Sequence, residues 1–218
     1  MAKRSIASSY SLWLGTASAL LFLILTLTGT VTDINTFIAA ANVTFTTAAN
    51  ATANVLLTVS TDDQGNTPAP AQTDTDAFTI VVTAVNDAPS VTAPSSFALT
   101  EDVAGNLTFT GTPFADVDSA TLTVTLSVSD GTVTGNAGTG ITVAGTATAR
   151  TFAGTVAALN TYFTTAGSIT YEGALNNTTS RTLTTAVSDG TLSASATSTI
   201  NFTAVNDAPV AAASTLTT

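Results

Sequence analysis

The chain has 218 residues, four Lys or Arg against fourteen Asp or Glu, a net charge of −10 and 44% apolar residues. That apolar fraction supports a packed core and argues against disorder. With no Cys and no His, the chain lacks thiol nucleophiles, imidazole metal ligands and a Ser-His-Asp triad, and four basic residues are too few to track a nucleic-acid backbone.

Lys3 and Arg4 precede a stretch without charge up to Asp33, centred on Leu20-Leu21-Phe22-Leu23-Ile24-Leu25. A basic start followed by an apolar run fits a secretory signal or membrane anchor. Thr, Ser and Gly dilute the run, so a buried strand of a β domain fits equally. Residues 1–25 are therefore set apart as an apolar N-terminal segment. Trp13 within it fits either a membrane interface or a core.

The remainder is organised by an internal repeat. Ala84-Val85-Asn86-Asp87-Ala88-Pro89 recurs unchanged as Ala204-Val205-Asn206-Asp207-Ala208-Pro209, 120 residues later. The match extends upstream. Thr26-Leu27-Thr28-Gly29-Thr30-Val31 lies over Thr151-Phe152-Ala153-Gly154-Thr155-Val156, and Val43-Thr44-Phe45 over Ile169-Thr170-Tyr171. Residues 26–88 read as a partial repeat, 89–209 as a complete one, and 210–218 as a tail or the start of another. A half-repeat cannot bury both faces of its sheet by itself.

Within the complete repeat, short alternating runs predict about seven strands. Phe97 and Leu99, then Leu107 and Phe109, alternate; Leu122, Val124, Leu126 and Val128 give the cleanest period-two run. Residues 157–163 suit one helical turn. In the partial repeat, residues 64–76, with Pro68 and Pro70, read as a surface loop. The pattern predicts an all-β chain of two-sheet sandwiches.

Acidic residues recur in a fixed order. Thr100-Glu101-Asp102 opens the repeat, Asp116-Val117-Asp118 follows, then Glu172, then Ala186-Val187-Ser188-Asp189-Gly190, and Asn206-Asp207-Ala208-Pro209 closes it. This series resembles the cadherin repeat and the cadherin-like repeats of large bacterial surface adhesins. The resemblance covers residues 89–209 fully and 26–88 in part. It implies Ig/cadherin-like seven-stranded β-sandwich repeats in tandem, the first incomplete, with Ca²⁺ at the junctions. Carried over, Asn86, Asp87, Asp116, Asp118 and Asp189 would serve the inner junction. Glu101, Glu172, Asn206 and Asp207 would serve the outer one, whose remaining ligands would lie beyond Thr218. The partial repeat has Thr46 or Thr47 where Glu172 stands, so the inner junction has fewer donors. The physical case is that Ca²⁺ takes six to eight oxygens, mostly carboxylate and carbonyl. The same Asp and Asn residues also suit plain turns without metal.

Glu101 and Glu172 are the only glutamates, and nothing pairs two carboxylates across an aromatic-lined cleft as a glycosidase requires. The expectation is a non-enzymatic, secreted or cell-surface module serving adhesion or surface architecture. Its partners would be neighbouring repeats or subunits, or a cell-surface protein or glycan. It would meet a membrane only through its N-terminal segment. The other reading is a self-assembling filament subunit whose incomplete domain accepts a neighbour's strand.

Overall fold

The structure is a computed structural model that describes residues 6–16, 19–65, 70–136 and 138–209. It is an all-β architecture with two short helices among the described residues. The chain divides into two compact units, Met1–Val85 and Asn86–Thr218, so the boundary falls three residues before the one expected after residue 88.

Unit 1 holds β1 (Ile6–Thr16), β2 (Ala19–Gly29), α1 (Val31–Ala39), β3 (Val55–Asp62) and β4 (Thr73–Ile80). They form one antiparallel sheet in the order β2-β1-β3-β4. The apolar N-terminal segment thus lies in two strands. Among the described residues, no helix is long and apolar enough to cross a membrane. The loop expected over 64–76 is shorter than predicted, because Thr73–Asp76 belong to β4. Thr and Ala flank their two aspartates and leave the alternation weak, while pairing to β3 extends the strand.

Unit 2 holds β5 (Ser90–Val91), β6 (Ser96–Thr100), β7 (Gly105–Asn106), β8 (Phe114–Ala115), β9 (Thr121–Ser127), β10 (Thr132–Gly135), β11 (Ile141–Gly145) and β12 (Ala149–Thr155). It continues with α2 (Val156–Thr164), β13 (Ile169–Glu172), β14 (Arg181–Ser188) and β15 (Ser193–Thr203). Among the described residues these are eleven strand segments rather than seven, three of them only two residues long. A six-stranded sheet runs β11-β12-β9-β14-β15-β6, with β6 parallel to β15. A three-stranded sheet runs β10-β13-β7, and β5 pairs with β8.

The period-two run expected over residues 122–128 forms β9, with Leu122, Val124 and Leu126 buried. Leu107 and Phe109 are buried too, but the chain there makes single bonds to Ile169 and Phe163 rather than a ladder. The helical turn expected at 157–163 is the nine-residue α2. Thr155 caps it by accepting from the Ala158 N–H at 3.1 Å. In unit 1, Thr30 caps α1 the same way, accepting from the Asp33 N–H at 3.1 Å. Thr30 and Thr155 are the residues that the repeat superposes.

The two sheets share more than these caps. β2, β1, β3 and β4 stand in the same order as β12, β9, β14 and β15. Leu57 faces Phe78 as Leu183 faces Ser198. Leu27 faces Ser8 as Phe152 faces Val124. What differs is the covering layer. In unit 2 one core cluster draws on the six-stranded sheet, the three-stranded sheet and α2. Phe163 is packed edge-on against Phe109, Phe114 and Phe152, with centroids 4.8–5.2 Å apart. The described residues of unit 1 hold no counterpart of β10 or β7. Accordingly Val43–Phe45, which match β13 in sequence, form no strand. Phe37 and Ile38, counterparts of the buried Tyr162 and Phe163, remain 43% and 39% exposed.

Thr185 is fully buried in β14, and its hydroxyl has no hydrogen-bond partner. Its counterpart in unit 1 is Val59, as the pairings to Ala196 and Asp76 show. An orphaned buried hydroxyl costs about 1–3 kcal/mol. Thr185→Val is therefore expected to stabilise unit 2 by about 1 kcal/mol and raise its melting temperature by a few degrees. Chemical denaturation of both proteins checks this; a less stable variant would mean the hydroxyl has found a partner in solution.

A cluster around Asp130 braces the other layer. Arg181 donates from Nε and Nη2 to the two carboxylate oxygens of Asp130, at 2.6 and 2.8 Å. The Tyr171 hydroxyl donates to the Asp130 carbonyl at 3.1 Å. The Arg181 bond holds the Asp130 carboxyl below its ordinary value. Gly131 beside it has φ +73°, and a Cβ there would lie 2.5 Å from the Glu172 carbonyl oxygen, so only glycine fits.

Candidate metal centres

Strand β15 is eleven residues long, on the order of 35 Å at about 3.3 Å per residue. Acidic groups gather beyond both of its ends.

The first cluster lies at the β14–β15 turn. The Asn86 amide donates to the Asp189 carboxylate at 2.7 Å, and the Asp87 N–H donates to Asp118 at 3.0 Å. Asp116 accepts from the N–H groups of Asp118 and Ser119 at 3.0 and 2.7 Å, an Asx turn that shapes the loop. Asp189 accepts from the N–H groups of Thr191 and Leu192 at 2.6 and 2.7 Å. The Asn86 amide and these N–H groups hold the Asp189 carboxyl below its ordinary value. Burial pushes Asp116 up, but the Ser119 and Asp118 N–H groups outweigh it and leave Asp116 lowered, against the Asp189 charge. The second oxygen of Asp116, Oδ2, is buried without a partner. Asn86, Asp87, Asp116, Asp118 and Asp189 therefore form one hydrogen-bonded group.

The second cluster lies beyond the other end of β15, where the Glu101 N–H donates to the Thr203 carbonyl at 3.1 Å. Glu101 is buried and accepts from the Val205 N–H at 2.8 Å. Glu101, Asp102 and Asp207 each offer a carboxylate oxygen within 4.8 Å of the others. The Asn176 N–H donates to Asp102 at 2.7 Å. With its side-chain nitrogen turned to the carboxylates, Asn176 also donates to Asp207 at 2.9 Å.

Two differences from the sequence expectation stand out here. Glu172 does not join the group: it is exposed on β13, next to the core-facing Tyr171 and opposite Thr132 in register. Alternation along the strand sends it to the other face. Asp102 and Asn176 take part instead. Both have positive φ, 62° and 54°, a conformation that Asp and Asn adopt more readily than most residues. Asn206 is exposed beside Asp207.

Desolvation, then the charges of Asp102 and Glu101, raise the Asp207 carboxyl above its ordinary 3.8. A carboxyl raised in the fold favours folding when protonated. Its contribution is fully present below 3.8 and is lost as pH rises through the raised value. In chelator at neutral pH, Asp207→Asn should therefore melt at a higher temperature than the native chain. The difference should vanish below pH 3.8. A difference that persists at acid pH would sink this account.

Unit 1 repeats part of the first cluster. Asp63 accepts from the Gly65 and Gln72 N–H groups at 3.0 and 2.9 Å, as Asp189 does from Thr191 and Leu192. The described residues of unit 1 include no counterpart of the Asp116–Asp118 loop.

No known protein family and no curated protein matches the chain. Among solved structures it is similar to an endo-fucoidan hydrolase from glycoside hydrolase family 107. The identity is 19% and the TM-score 0.29, over 92% of this chain and 24% of that one. The chain spans about a quarter of that protein's length, and a likeness of this degree carries no argument about fold or activity.

Proposed function

We propose that the chain is a non-enzymatic, extracellular structural or adhesive module built of cadherin-like sandwich repeats in tandem. Calcium at the junctions would stiffen it. The observation that carries this reading is the shared strand order and register of the two units, each followed by Ala-Val-Asn-Asp-Ala-Pro. Acidic clusters beyond both ends of β15 add to it, because ion sites at the ends of a domain suit a chain of domains joined end to end.

Carboxylate and amide oxygens are the donors that Ca²⁺ takes. Asn86, Asp87, Asp116, Asp118 and Asp189 supply hard oxygens, and the unpartnered Asp116 oxygen is an acceptor that a cation would satisfy. Glu101, Asp102 and Asp207 form a second oxygen set. A bound cation would offset the mutual repulsion of these carboxylates and so tighten the chain around Asn86–Pro89 and Asn206–Pro209. Calorimetric titration with calcium chloride tests the reading. Saturable heat at the purified chain, with magnesium much weaker, is the expected result; no calcium binding would remove the stiffening role.

A second reading has its own observation. Among the described residues, unit 1 is a single four-stranded sheet, whereas the same four strands in unit 2 carry neighbours at both edges and a covering layer. A filament subunit completed by a strand from a neighbour accounts for that difference.

A further inference from the structure

We propose that the parallel pair β6–β15 is a load-bearing clamp, which holds unit 2 closed when tension is applied where the chain enters and leaves it. This rests on the reading of the chain as a module joined end to end, and it names the contact within the unit that carries the pull.

The chain enters and leaves unit 2 at opposite ends of β15. At the entry, Asn86 and Asp87 are bonded to Asp189 and Asp118 beside the β14–β15 turn. At the exit, the Val205 N–H donates to Glu101 beyond the other end of the strand. Between these points β6 lies against β15 over five residue pairs, from Ser96 with Thr199 to Thr100 with Thr203. Among the described residues this is the only parallel pairing.

Parallel strands run the same way, and that decides how the ladder is loaded. Tension draws β6 toward its own start and β15 toward its own end, along one axis in opposite senses. Every rung bears load at once, and the strands part only when the rungs fail together. Had the two strands been antiparallel, the same pull would have opened the ladder from one end, a rung at a time.

The ladder is closed at both ends and lies over the core. The Thr199 N–H donates to the Ser95 carbonyl at 3.0 Å, and the Glu101 N–H to the Thr203 carbonyl at 3.1 Å. Just outside it, the Ser198 hydroxyl donates to the Pro94 carbonyl at 2.5 Å. Beneath it Phe97, Leu99 and Ile200 are buried, which keeps water from that face and strengthens the bonds above. Upstream, β5 is tied to β8 by only two residue pairs, so it yields before β6 and passes the load on. Among the described residues unit 1 has no such clamp: β4, the counterpart of β15, is the outer strand of its sheet.

The chain has no cysteine, so handles for single-molecule pulling attach only at introduced ones. The full chain is pulled in chelator through one of two exposed pairs. Ala88→Cys with Ala208→Cys loads the ladder along its length. Val103→Cys with Ala204→Cys lies just past the paired Thr100 and Thr203 and loads it from one end. Forced unfolding reads the barrier that guards the folded state. At one loading rate the first pair should need several times the force of the second. Ser198→Ala, which removes the bond to Pro94, should lower the force for the first pair and leave that for the second unchanged. Equal forces in the two geometries would overturn the clamp. A first-pair force unaltered by Ser198→Ala would place the load elsewhere and overturn it too. Because the forces are read in chelator, a clamp that fails leaves the calorimetric test of calcium binding untouched.

Discussion

Millimolar calcium is expected to raise the melting temperature of this chain relative to excess chelator, and Asp116→Asn with Asp118→Asn to remove most of that rise. A ligand at a hundred times its dissociation constant stabilises the folded state by about 2.7 kcal/mol. For a unit the size of the second, that is a shift on the order of 10 °C. The substitution is chosen to leave the turn intact. Asp116 supports its loop through one oxygen that accepts from the Asp118 and Ser119 N–H groups, and an asparagine side-chain oxygen can accept both. In chelator the double variant should melt within a few degrees of the native chain. Thermal scans by circular dichroism, with and without calcium, read both effects. Identical native melts in the two conditions would leave these carboxylates as turn formers only. Collapse of the variant in chelator would instead make Asp116 and Asp118 structural.

The second large effect separates the two units. Phe163→Ala should cost unit 2 about 3–5 kcal/mol, because the ring is 1% exposed and packs among three other phenylalanines. That is a large part of the 5–15 kcal/mol that holds a typical domain together. Ile38→Ala, the matching change in unit 1, should cost about 1 kcal/mol or less, since Ile38 is 39% exposed. Hydrogen exchange followed by mass spectrometry assigns each loss to its unit. Similar large losses at both positions would mean that α1 is covered in solution, and would direct attention to whatever covers it.

The relation between these two positions is legible in the repeated sequence. Thr30-Val31 over Thr155-Val156 predicted that equivalent segments follow, and both threonines cap nine-residue helices. A capping side chain acts within its own turn, so local sequence is enough to specify it. The alternation in β9 was legible for a similar reason: one face in a core writes a period of two into the chain. The acidic series was visible as a set because Asp and Asn cluster at turns.

Other features depended on what lies across from each residue. Glu172 matched the family pattern in sequence, yet it is exposed on β13 and outside the group of Glu101, Asp102 and Asp207, whereas Asp102 and Asn176, both at positive φ, take part in it. Val43-Thr44-Phe45 resembles Ile169-Thr170-Tyr171, but only the latter forms a strand. β13 is held between β10 and β7, and without such partners a short β-prone segment has nothing to pair with.

The sequence by itself thus determined the all-β class and the period-two run of β9, because these follow from composition and from local periodicity. Tertiary structure alone decided which carboxylates converge, which strands are edges and how much of unit 1 stays uncovered. Those outcomes depend on pairings between residues far apart in the chain, and a ladder forms only where a partner strand is present to accept its hydrogen bonds.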